Sequence, residues 1–266
     1  MVMKMLVAFY RKSVGVIAAP LLFAYFFRTN VGREYGVGFR NKVVLLFKFY
    51  RNTKAIPSAS DWQEHAMMAA RILQIPRAWQ GDVIECGSYK GASTVNLSLA
   101  CALVGRRLVV CDSFEGLPEP SGDDRFHTQE IKGKHKEYKK GQYAGTLEEV
   151  QINIERYGNI RVCEFIKGYF EETLPSLREK AFVFIFLDVD LNASLKTCLR
   201  FLWPRLRHGC VLFSHEAQDM AFVSLFFDRA WWQNELGTKA PGFIGAGTGL
   251  PLGIGKGSSI GYTEKI

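Results

Sequence analysis

Several patterns that would place this chain in a common class are missing. Its six cysteines include no C-x-x-C pair, which argues against a zinc site built from cysteines. Most of them lie in segments with strand or helix patterns, so we expect reduced, buried thiols in the cytoplasm. No internal repeat or low-complexity tract interrupts the 266 residues, of which 48% are hydrophobic and 23% charged. This composition predicts one substantial globular domain with an appendage.

Acidic residues are almost absent from the first sixty positions. Residues 1–60 contain ten Lys or Arg but a single acidic residue, Glu34, which gives this segment a net charge of +9. The whole chain carries +8, so the remaining residues carry −1. Because the excess of basic residues is confined to this segment, the overall charge does not indicate a nucleic-acid partner.

No apolar run is long enough to span a bilayer. Val14–Phe27 comprises fourteen uncharged residues, whereas a transmembrane helix needs roughly twenty. A signal peptide is a weaker interpretation, since Arg28 follows at once and no small-x-small cleavage site is evident. Two interpretations of residues 1–57 remain open: an interfacial helix that contacts anionic lipid headgroups, or helices that pack on the rest of the chain or on a second subunit. The apolar, Lys-containing stretch Val43–Tyr50 leaves the same choice.

Hydrophobic patterning predicts a β-α-β unit between residues 82 and 112. Asp82–Gly87 and Arg106–Asp112 are short, mostly apolar runs, and the small and apolar residues from Gly91 to Val104 suffice for a helix. Runs that are apolar at nearly every position suggest strands covered on both faces, which is typical of parallel sheets. The turn between strand and helix then lies at the edge where open α/β sheets bind ligands.

The turn Glu85–Gly91, which reads ECGSYKG, has the features of a cofactor site. Its glycines let a ligand approach the backbone, and the next helix directs its free N–H groups toward that ligand. Asp112 ends the second strand, where a carboxylate can accept ribose hydroxyls. Tyr89 replaces the middle glycine of a dinucleotide motif, which disfavours an NAD-dependent oxidoreductase. S-adenosylmethionine fits better, because it has a ribose, no phosphate and an ammonium group that can approach Glu85.

Six blocks of sequence resemble the macrocin and mycinamicin sugar O-methyltransferase family of class I S-adenosylmethionine-dependent methyltransferases. The blocks are IECGSYKGAS at 84–93, VCDSFEGLP at 110–118, LEEVQINIERYG at 147–158, KGYFEETLP at 167–175, FLDVDLNASL at 186–195 and WPRLRHGCVLF at 203–213. The resemblance implies a Rossmann-like α/β fold with a mostly parallel seven-stranded sheet, helices on both faces and an antiparallel C-terminal strand. The blocks cover about residues 80–216, and a helix predicted within Ser58–Trp79 marks the start of the domain, so we expect residues 58–266 to form the methyltransferase domain.

The predicted cofactor contacts surround the turns after the first, second, third and fourth strands. An aromatic side chain after the third strand, Arg161–Ile166, can stack on adenine, although Phe170 fits a place in the core equally well. The predicted contacts are Glu85, Gly87, Ser88, Tyr89, Gly91, Asp112, Ser113, Tyr169, Phe170 and Asp188.

The apolar run Ala181–Asp190 predicts a buried strand that ends in two carboxylates. Asp188 and Asp190 are two residues apart, so they face the same way in an extended chain, and Asp188 would lie beside the cofactor. In the resembling family this first aspartate is a magnesium ligand, and an aspartate pair after the next strand completes the site. Here that next strand, Gly209–Phe213, is followed by Ser214, His215 and Glu216.

This departure leaves the nature of the site open. Asp188, His215 and Glu216 are predicted as metal ligands for Mg²⁺ or a softer divalent ion, with Asp219 close enough to help. Mg²⁺ prefers oxygen ligands in octahedral geometry, a preference that imidazole weakens. Alternatively no metal binds, and His215, whose ordinary pKa is about 6.5, acts as a general base. The same three residues are the predicted catalytic residues in either case.

Two loops carry weaker signals. Residues 119–145 are polar and Lys-rich, as expected of a substrate lid or a solvated loop. Gly242–Gly257 lacks the ending of a phosphate-binding loop and predicts an antiparallel hairpin before a final strand near Ser258–Glu264. The titratable residues of the first loop that could approach an acceptor are Asp123, Asp124, His127 and His135.

The residues and the resemblance together predict an O-methyltransferase that acts on a hydroxyl of a sugar or glycan-like acceptor. The alternative, which the altered metal motif motivates, is a membrane-surface binding module that keeps the fold without turnover. We expect a cytoplasmic location, with association to the cytoplasmic face of a membrane left open. If residues 1–57 contact that membrane, a glycolipid or lipid-linked glycan is a plausible acceptor. A homo-oligomer also remains open.

Overall fold

A six-stranded sheet lies at the centre of the computed structural model, which describes residues 20, 22–125, 128–131, 134–217, 219–245 and 260–266. The strands along the chain are β1 (Asp82–Cys86), β2 (Leu108–Asp112), β3 (Thr128–Ile131), β4 (Lys134–Glu137), β5 (Cys163–Lys167), β6 (Phe182–Leu187), β7 (Leu206–Ser214) and β8 (Gly261–Glu264). β3 and β4 form a separate antiparallel pair, and the other six strands form the central sheet.

Helices connect most of the strands. They are α1 (Phe39–Ala55), α2 (Trp62–Gln74), α3 (Ala92–Val104), α4 (Leu147–Tyr157), α5 (Phe170–Thr173), α6 (Asn192–Leu202), α7 (Met220–Leu225) and α8 (Arg229–Leu236). Residues 22–26 are also helical. Short 3-10 turns occur at Arg33–Tyr35, Gly122–Arg125, Ile160–Val162, Leu174–Leu177 and Trp203–Arg205.

The strand order in the central sheet is β5-β2-β1-β6-β7-β8. All neighbouring strands are parallel except β7 and β8, which are antiparallel. The chain first moves outward from β1 to β5, then returns beside β1 as β6 and moves to the opposite edge. A crevice therefore opens between β1 and β6, at the point where the direction of winding reverses. This arrangement confirms the predicted mostly parallel α/β sheet with its antiparallel C-terminal strand.

The described residues contain six strands in the central sheet, where we predicted seven. Ile244 forms an isolated antiparallel bridge with Tyr262 of β8, beside the position expected for another strand. Residues 246–259, which hold most of the predicted hairpin Gly242–Gly257, lie outside the described residues. The count therefore differs by one strand, while the class of sheet is the same.

The helices cover both faces of the sheet. Parallel strands are joined by right-handed crossovers, so connections that run in opposite directions along a sheet place their helices on opposite faces. α3 and α4 belong to the connections that run from β1 toward β5, whereas α5 and α6 belong to those that run back toward β7. In agreement, α3 packs against α4 and α5 packs against α6.

The strands are buried because helices cover them on both sides. Every residue of β6 is buried, and its Phe184 stacks on Phe213 of β7 with ring centroids 5.4 Å apart. This explains why β6 is apolar at consecutive positions instead of alternating. The polar residues that follow the strands therefore lie at the edge of an apolar core.

The described part of the N-terminal segment packs on the rest of the chain through one side of α1. Leu45, Leu46 and Phe49 on this side are buried in the same core as α2 and α3. The opposite side of α1 is exposed. Residues 1–19 and 21, which include much of Val14–Phe27, lie outside the described residues. Within the described ranges, no helix combines the length and the apolar character needed to cross a bilayer.

Candidate functional site

A cavity of about 780 Å³ opens at the carboxyl ends of the central strands. Its wall includes Gly87 after β1, Asp112 at the end of β2, Asp188 after β6 and His215 after β7. These four strands flank the crevice between β1 and β6, which is where α/β sheets of this type bind ligands. The cavity therefore lies where the parallel sheet predicts it.

The turn between β1 and α3 approaches the neighbouring strand very closely. Gly87 has a φ of +87°, and a Cβ built there would lie 1.8 Å from the carbonyl oxygen of Asp188. Only glycine fits this position, because it avoids both the contact and the strain of a positive φ. Gly91, with a φ of +84°, precedes the first turn of α3. Gly87 thus brings the ends of β1 and β6 together at the base of the cavity.

The carboxylate of Asp112 holds this turn in place. Its Oδ2 accepts hydrogen bonds from the backbone N–H and the hydroxyl of Ser88, at 2.6 and 3.1 Å, and from the backbone N–H of Tyr89 at 3.3 Å. Its Oδ1 accepts a hydrogen bond from the backbone N–H of Phe114 at 2.7 Å. Each carboxylate oxygen has about two acceptor sites, so Oδ2 is fully used and Oδ1 retains one site for a ligand. Asp112 therefore has a structural role besides the ribose contact that its position suggests.

Eight of the ten predicted cofactor contacts line the cavity. They are Gly87, Ser88, Tyr89, Asp112, Ser113, Tyr169, Phe170 and Asp188. Glu85 and Gly91 do not line it. Gly91 shapes the start of α3 instead.

Glu85 points into the core instead of the cavity. The residue is fully buried in β1, and neither carboxylate oxygen has a hydrogen-bond partner in the part of the chain that the structure describes. Burial, together with the charges of Asp188 and Asp112, raises the pKa of Glu85 to about 8, although nearby hydroxyl groups lower it in part. At neutral pH the carboxyl group is therefore mostly protonated. Because Glu85 does not line the cavity, it would not contact the ammonium group of a cofactor bound there directly.

Asp188, His215 and Glu216 converge on the other side of the cavity. Nδ1 of His215 lies 3.3 Å from Oδ1 of Asp188, and Nε2 of His215 is buried and has no hydrogen-bond partner within the described ranges. Oε1 of Glu216 accepts hydrogen bonds from the backbone N–H groups of Val189 and Asp190, at 3.0 and 3.1 Å. These contacts fix the end of β7 against the loop after β6.

The charges in this group act strongly on one another. Burial lowers the pKa of His215, but the charge and contact of Asp188, followed by the charges of Glu64 and Glu216, outweigh burial and raise the pKa to about 10. Burial and the charge of Asp188 raise the pKa of Glu216. The same causes, with the charge of Glu216, raise the pKa of Asp190 well above its ordinary value. The site therefore contains more carboxyl groups than basic groups, and the positive charge of the His215 imidazolium offsets part of their negative charge.

The three residues fit a divalent cation. Each offers one ligand atom, and these atoms all lie within 4.8 Å of one another. A cation would relieve the repulsion between the carboxylates and would replace the proton on His215. Because one donor is an imidazole nitrogen, the set suits Mn²⁺ or Zn²⁺ better than Mg²⁺. Asp219, expected from its position in the sequence to help, also lines the cavity.

Residues 119–145 contribute aromatic side chains that the sequence analysis did not identify. Tyr138 and Tyr143 line the cavity, and the ring of Tyr143 meets that of Tyr89 edge-on with centroids 6.0 Å apart. Both Tyr89 and Tyr143 have positive φ values, +47° and +59°. Such strain is uncommon in bulky residues and tends to occur at ligand sites. No local pattern in the sequence identifies Tyr138 or Tyr143 as part of the cavity wall.

Asp124, one of the residues proposed to approach an acceptor, has another role. Its buried carboxylate accepts hydrogen bonds from the backbone N–H groups of Asn192 and Ala193, both at 2.9 Å, and so caps α6. It does not line the cavity. His127 and the side chains of Asp123 and His135 lie outside the described residues.

Comparison with known proteins places the central part of the chain in one family. Residues 64–227 match the family model described as macrocin-O-methyltransferase (TylF). A relative from Streptomyces olivaceus, 8-demethyl-8-(2,3-dimethoxy-alpha-L-rhamnosyl)-tetracenomycin-C 4'-O-methyltransferase, is 36% identical over 134 residues, which cover 48% of this chain and 50% of the relative. Mycinamicin III 3''-O-methyltransferase from Micromonospora griseorubida is 28% identical over 133 residues, or 48% and 52% of the two chains.

The aligned region spans about half the length of these relatives. Among solved structures, that of the O-methyltransferase NovP is similar with a TM-score of 0.58 and 19% identity, and it covers 77% of this chain and 80% of its own. At this identity the similarity shows the fold alone. Because the family model spans more than half of the sequence, this chain belongs to the macrocin-O-methyltransferase family.

Proposed function

We propose that this protein is an S-adenosylmethionine-dependent O-methyltransferase that methylates a hydroxyl group of a sugar or glycan-like acceptor. One observation carries the proposal. A single cavity has a glycine turn held by Asp112 on one side and the cluster Asp188, His215 and Glu216 on the other. The first side suits an adenosine cofactor, and the second suits a hydroxyl group that must lose a proton.

The cofactor would lie along the ends of β1 and β2. Ser88 and Tyr89 border the space beside the Asp112 carboxylate, whose Oδ1 retains an acceptor site that suits a ribose hydroxyl. Tyr169 and Phe170, at the end of β5, offer aromatic surface for adenine. Glu85 would act on the cofactor ammonium group only at a distance, through its charge state.

The transfer itself needs alignment of two groups. The acceptor oxygen attacks the methyl carbon, the bond from that carbon to sulfur breaks, and S-adenosylhomocysteine leaves with the electron pair. Holding the two groups in line can supply effective molarities of about 10⁵–10⁸ M. Because Gly87 touches the backbone of Asp188, the turn at the cofactor side and the cluster at the acceptor side are held at a fixed separation.

The acceptor proton would go to a carboxylate. A pKa of about 10 means that His215 is already protonated near neutral pH, so its imidazole is not the base in the metal-free protein. The raised pKa of Glu216 makes its carboxylate a better proton acceptor than an ordinary one. Asp188, paired with His215, would orient the hydroxyl group. This differs from the sequence-based alternative in which His215 is the base.

As an alternative to this metal-free route, we propose that Asp188, His215 and Glu216 hold a divalent metal, in which case Glu216 is a ligand instead of the proton acceptor. The ion would orient the acceptor hydroxyl and lower its pKa. Titration of the protein with Mn²⁺, Zn²⁺ and Mg²⁺ in a calorimeter tests this. Binding of Mn²⁺ or Zn²⁺ that is lost in His215→Asn supports the site, and unchanged binding in that variant contradicts it.

The organisation of the chain follows from this proposal. Residues 58–266 would form the methyltransferase domain, acting in the cytoplasm, and residues 1–57 would support it. Sugar-bearing acceptors are proposed because the relatives are named for methylation of a rhamnosyl tetracenomycin and of mycinamicin III.

A transfer assay with labelled cofactor tests the proposed function. The protein would be incubated with methyl-labelled S-adenosylmethionine, Mn²⁺ and a panel of rhamnosides and other deoxysugar glycosides. We expect label in a glycoside, and a loss of about 10²-fold in Asp188→Asn, because the acceptor hydroxyl is no longer oriented. Asp124→Asn is the matched control, since this aspartate is outside the cavity. Cofactor binding without transfer to any acceptor, and without an effect of Asp188→Asn, would favour the binding module instead.

A further inference from the structure

The side of α1 that faces away from the protein carries many exposed apolar residues. Eleven large apolar side chains are exposed in the described part of the chain, and six of them lie between residues 23 and 50. Phe39 and Phe47 are 70% and 63% exposed. Spacings of three, four and seven residues place the set on one side of the helix, the outer face of α1. It consists of Phe39, Val43, Val44, Phe47 and Tyr50.

Neighbouring aromatic rings extend this outer face into a continuous patch. The ring of Phe27 lies 4.9 Å from that of Phe39, and the rings of Phe23 and Phe27 are stacked at 6.2 Å. At the other end, the ring of Tyr50 meets that of Trp62 at 6.2 Å. A contiguous exposed apolar patch is uncommon on a monomeric protein surface and indicates an interaction site.

Basic residues lie among the apolar residues of the outer face and at its margin. Arg40, Lys48, Arg51 and Lys54 belong to α1, which contains no acidic residue. Long basic side chains can lay their apolar stems along such a face and extend their charges beyond it. A helix whose exposed residues are apolar and basic, with no acidic residue, is typical of helices that lie in the interface of an anionic bilayer.

The charge of the N-terminal segment indicates which kind of partner would bind the outer face. Residues 1–60 carry +9 and the rest of the chain −1. A second copy that met the outer face through its own outer face would bring basic residues against basic residues. Residues 1–19 contain Lys4, Arg11 and Lys12 and no acidic residue, so their sequence offers no charge complementary to the basic residues of the outer face. An anionic lipid surface complements both the charge and the apolar character.

We infer that the outer face of α1 docks on an anionic lipid surface, with Phe39 and Phe47 at the acyl boundary and Arg40 and Arg51 on the headgroups. The cavity would then lie close to the lipid. α1 ends at Ala55, and Pro57–Ser60, the residues that follow, form part of the cavity wall. An acceptor sugar carried on a lipid headgroup would therefore be presented beside the cavity. This last consequence rests on the proposed function, whereas the docking does not.

Vesicle co-sedimentation of the full chain tests the docking. Truncation is unsuitable, because Leu45, Leu46 and Phe49 of α1 are part of the core. We expect the protein to pellet with phosphatidylcholine vesicles that contain phosphatidylglycerol, and far less with phosphatidylcholine alone. Arg40→Gln with Arg51→Gln should weaken binding by about fivefold per charge. Phe39→Ser with Phe47→Ser should weaken it by about tenfold or more.

Matched variants separate this face from general effects of charge and apolarity. Arg161→Gln with Arg229→Gln removes the same charge elsewhere, and Ile152→Ser with Phe227→Ser removes exposed apolar residues elsewhere. Both controls should bind within about twofold of the wild type. Equal binding by all variants, or no binding by the wild type, would overturn the inference. So would concentration-dependent self-association in solution that Phe39→Ser with Phe47→Ser abolishes. S-adenosylhomocysteine affinity, measured on the same proteins, reports separately on the proposed function.

Discussion

The two sides of the cavity are built in different ways. On the side of β1 and β2, backbone N–H groups converge on a single carboxylate, Asp112, and glycines permit the close turns. On the side of β6 and β7, Asp188, His215 and Glu216 crowd together, and each changes the charge state of its neighbours. The first side depends on shape and hydrogen bonds, and the second depends on charge.

This difference separates the expected responses to mutation and to pH. Hydrogen bonds from backbone N–H groups to a carboxylate fix geometry, and they are insensitive to pH while the carboxylate stays ionised. Coupled ionisable groups respond to pH and to cations over a wide range. We therefore expect the cofactor side to control affinity and the acceptor side to control turnover.

The largest effect is expected where the two sides meet, at Gly87. In Gly87→Ala the new methyl group would clash with the carbonyl oxygen of Asp188, and the residue would be held at a positive φ. We expect a loss of about 3 kcal/mol or more in the free energy of unfolding, together with loss of cofactor binding. Chemical denaturation and calorimetry measure the two effects.

Gly105 provides the control for backbone strain alone. It has a φ of +66° at the end of α3, and a Cβ there would meet no atom within 4 Å. Gly105→Ala should cost only about 1–2 kcal/mol and leave cofactor affinity unchanged. Equal effects of the two substitutions would show that the contact with Asp188 is unimportant.

Glu85 tests whether a buried ionisable group on the cofactor side of the cavity also makes the stability of the protein depend on pH. Its pKa is raised from 4.5 to about 8, so the unfolded chain loses this proton at lower pH than the folded protein does. Stability should therefore fall as pH rises from 4.5 to 8, by up to about 1.4 kcal/mol per pH unit. Glu85→Gln removes this loss, so the variant should be more stable than the wild type near pH 8 and similar to it near pH 4.5.

Denaturant titrations over this pH range provide the measurement. Glu155→Gln, on the exposed side of α4, is the control and should leave the pH dependence unchanged. A constant difference between Glu85→Gln and the wild type at all pH values would refute the buried, protonated state of Glu85.

A smaller pH dependence of stability is expected at His215, where the group with the raised pKa is a base instead of an acid. Its folded pKa of about 10 exceeds the ordinary value of 6.5, so the imidazolium contributes stability that is fully present below pH 6.5 and is lost as pH rises through 10. Because water reaches the cavity, we expect at most about 1 kcal/mol per pH unit. The stability difference between the wild type and His215→Asn should shrink over this range.

This comparison requires a chelator, since a bound cation would replace the proton on His215. If the difference between the wild type and His215→Asn does not change from about pH 6.5 to pH 10, the ion pair with Asp188 is not formed.

Hydrophobic patterns in the sequence predicted the buried strands of the central sheet and the residues at their ends. The apolar runs that became β1, β2 and β6 were identified because strands buried on both faces need apolar residues at every position. Asp188 and Asp112 followed from their places at strand ends. Strand boundaries differ by a few residues: the run predicted as Gly209–Phe213 is part of β7, Leu206–Ser214.

The remaining features depend on contacts between distant segments, which periodicity does not encode. Asp124 caps α6 from 68 residues away along the chain. His65 is buried between Ser60 and Asn96, with hydrogen-bonding distances of 2.7 Å to each, and Asn96 lies 31 residues away along the chain. The high pKa of His215 arises from carboxylates on three separate segments. Only the folded arrangement brings these groups together.

The dissociation constant of S-adenosylhomocysteine, measured by calorimetry, tests the division between the two sides most directly. Asp112→Asn would direct an amide N–H₂ group at backbone N–H donors, so we expect binding to weaken by about tenfold to a hundredfold. His215→Asn and the control Asp124→Asn should bind within about twofold of the wild type. Unchanged affinity in Asp112→Asn, or an equal loss in His215→Asn, would contradict the assignment of one side to the cofactor and the other to the acceptor.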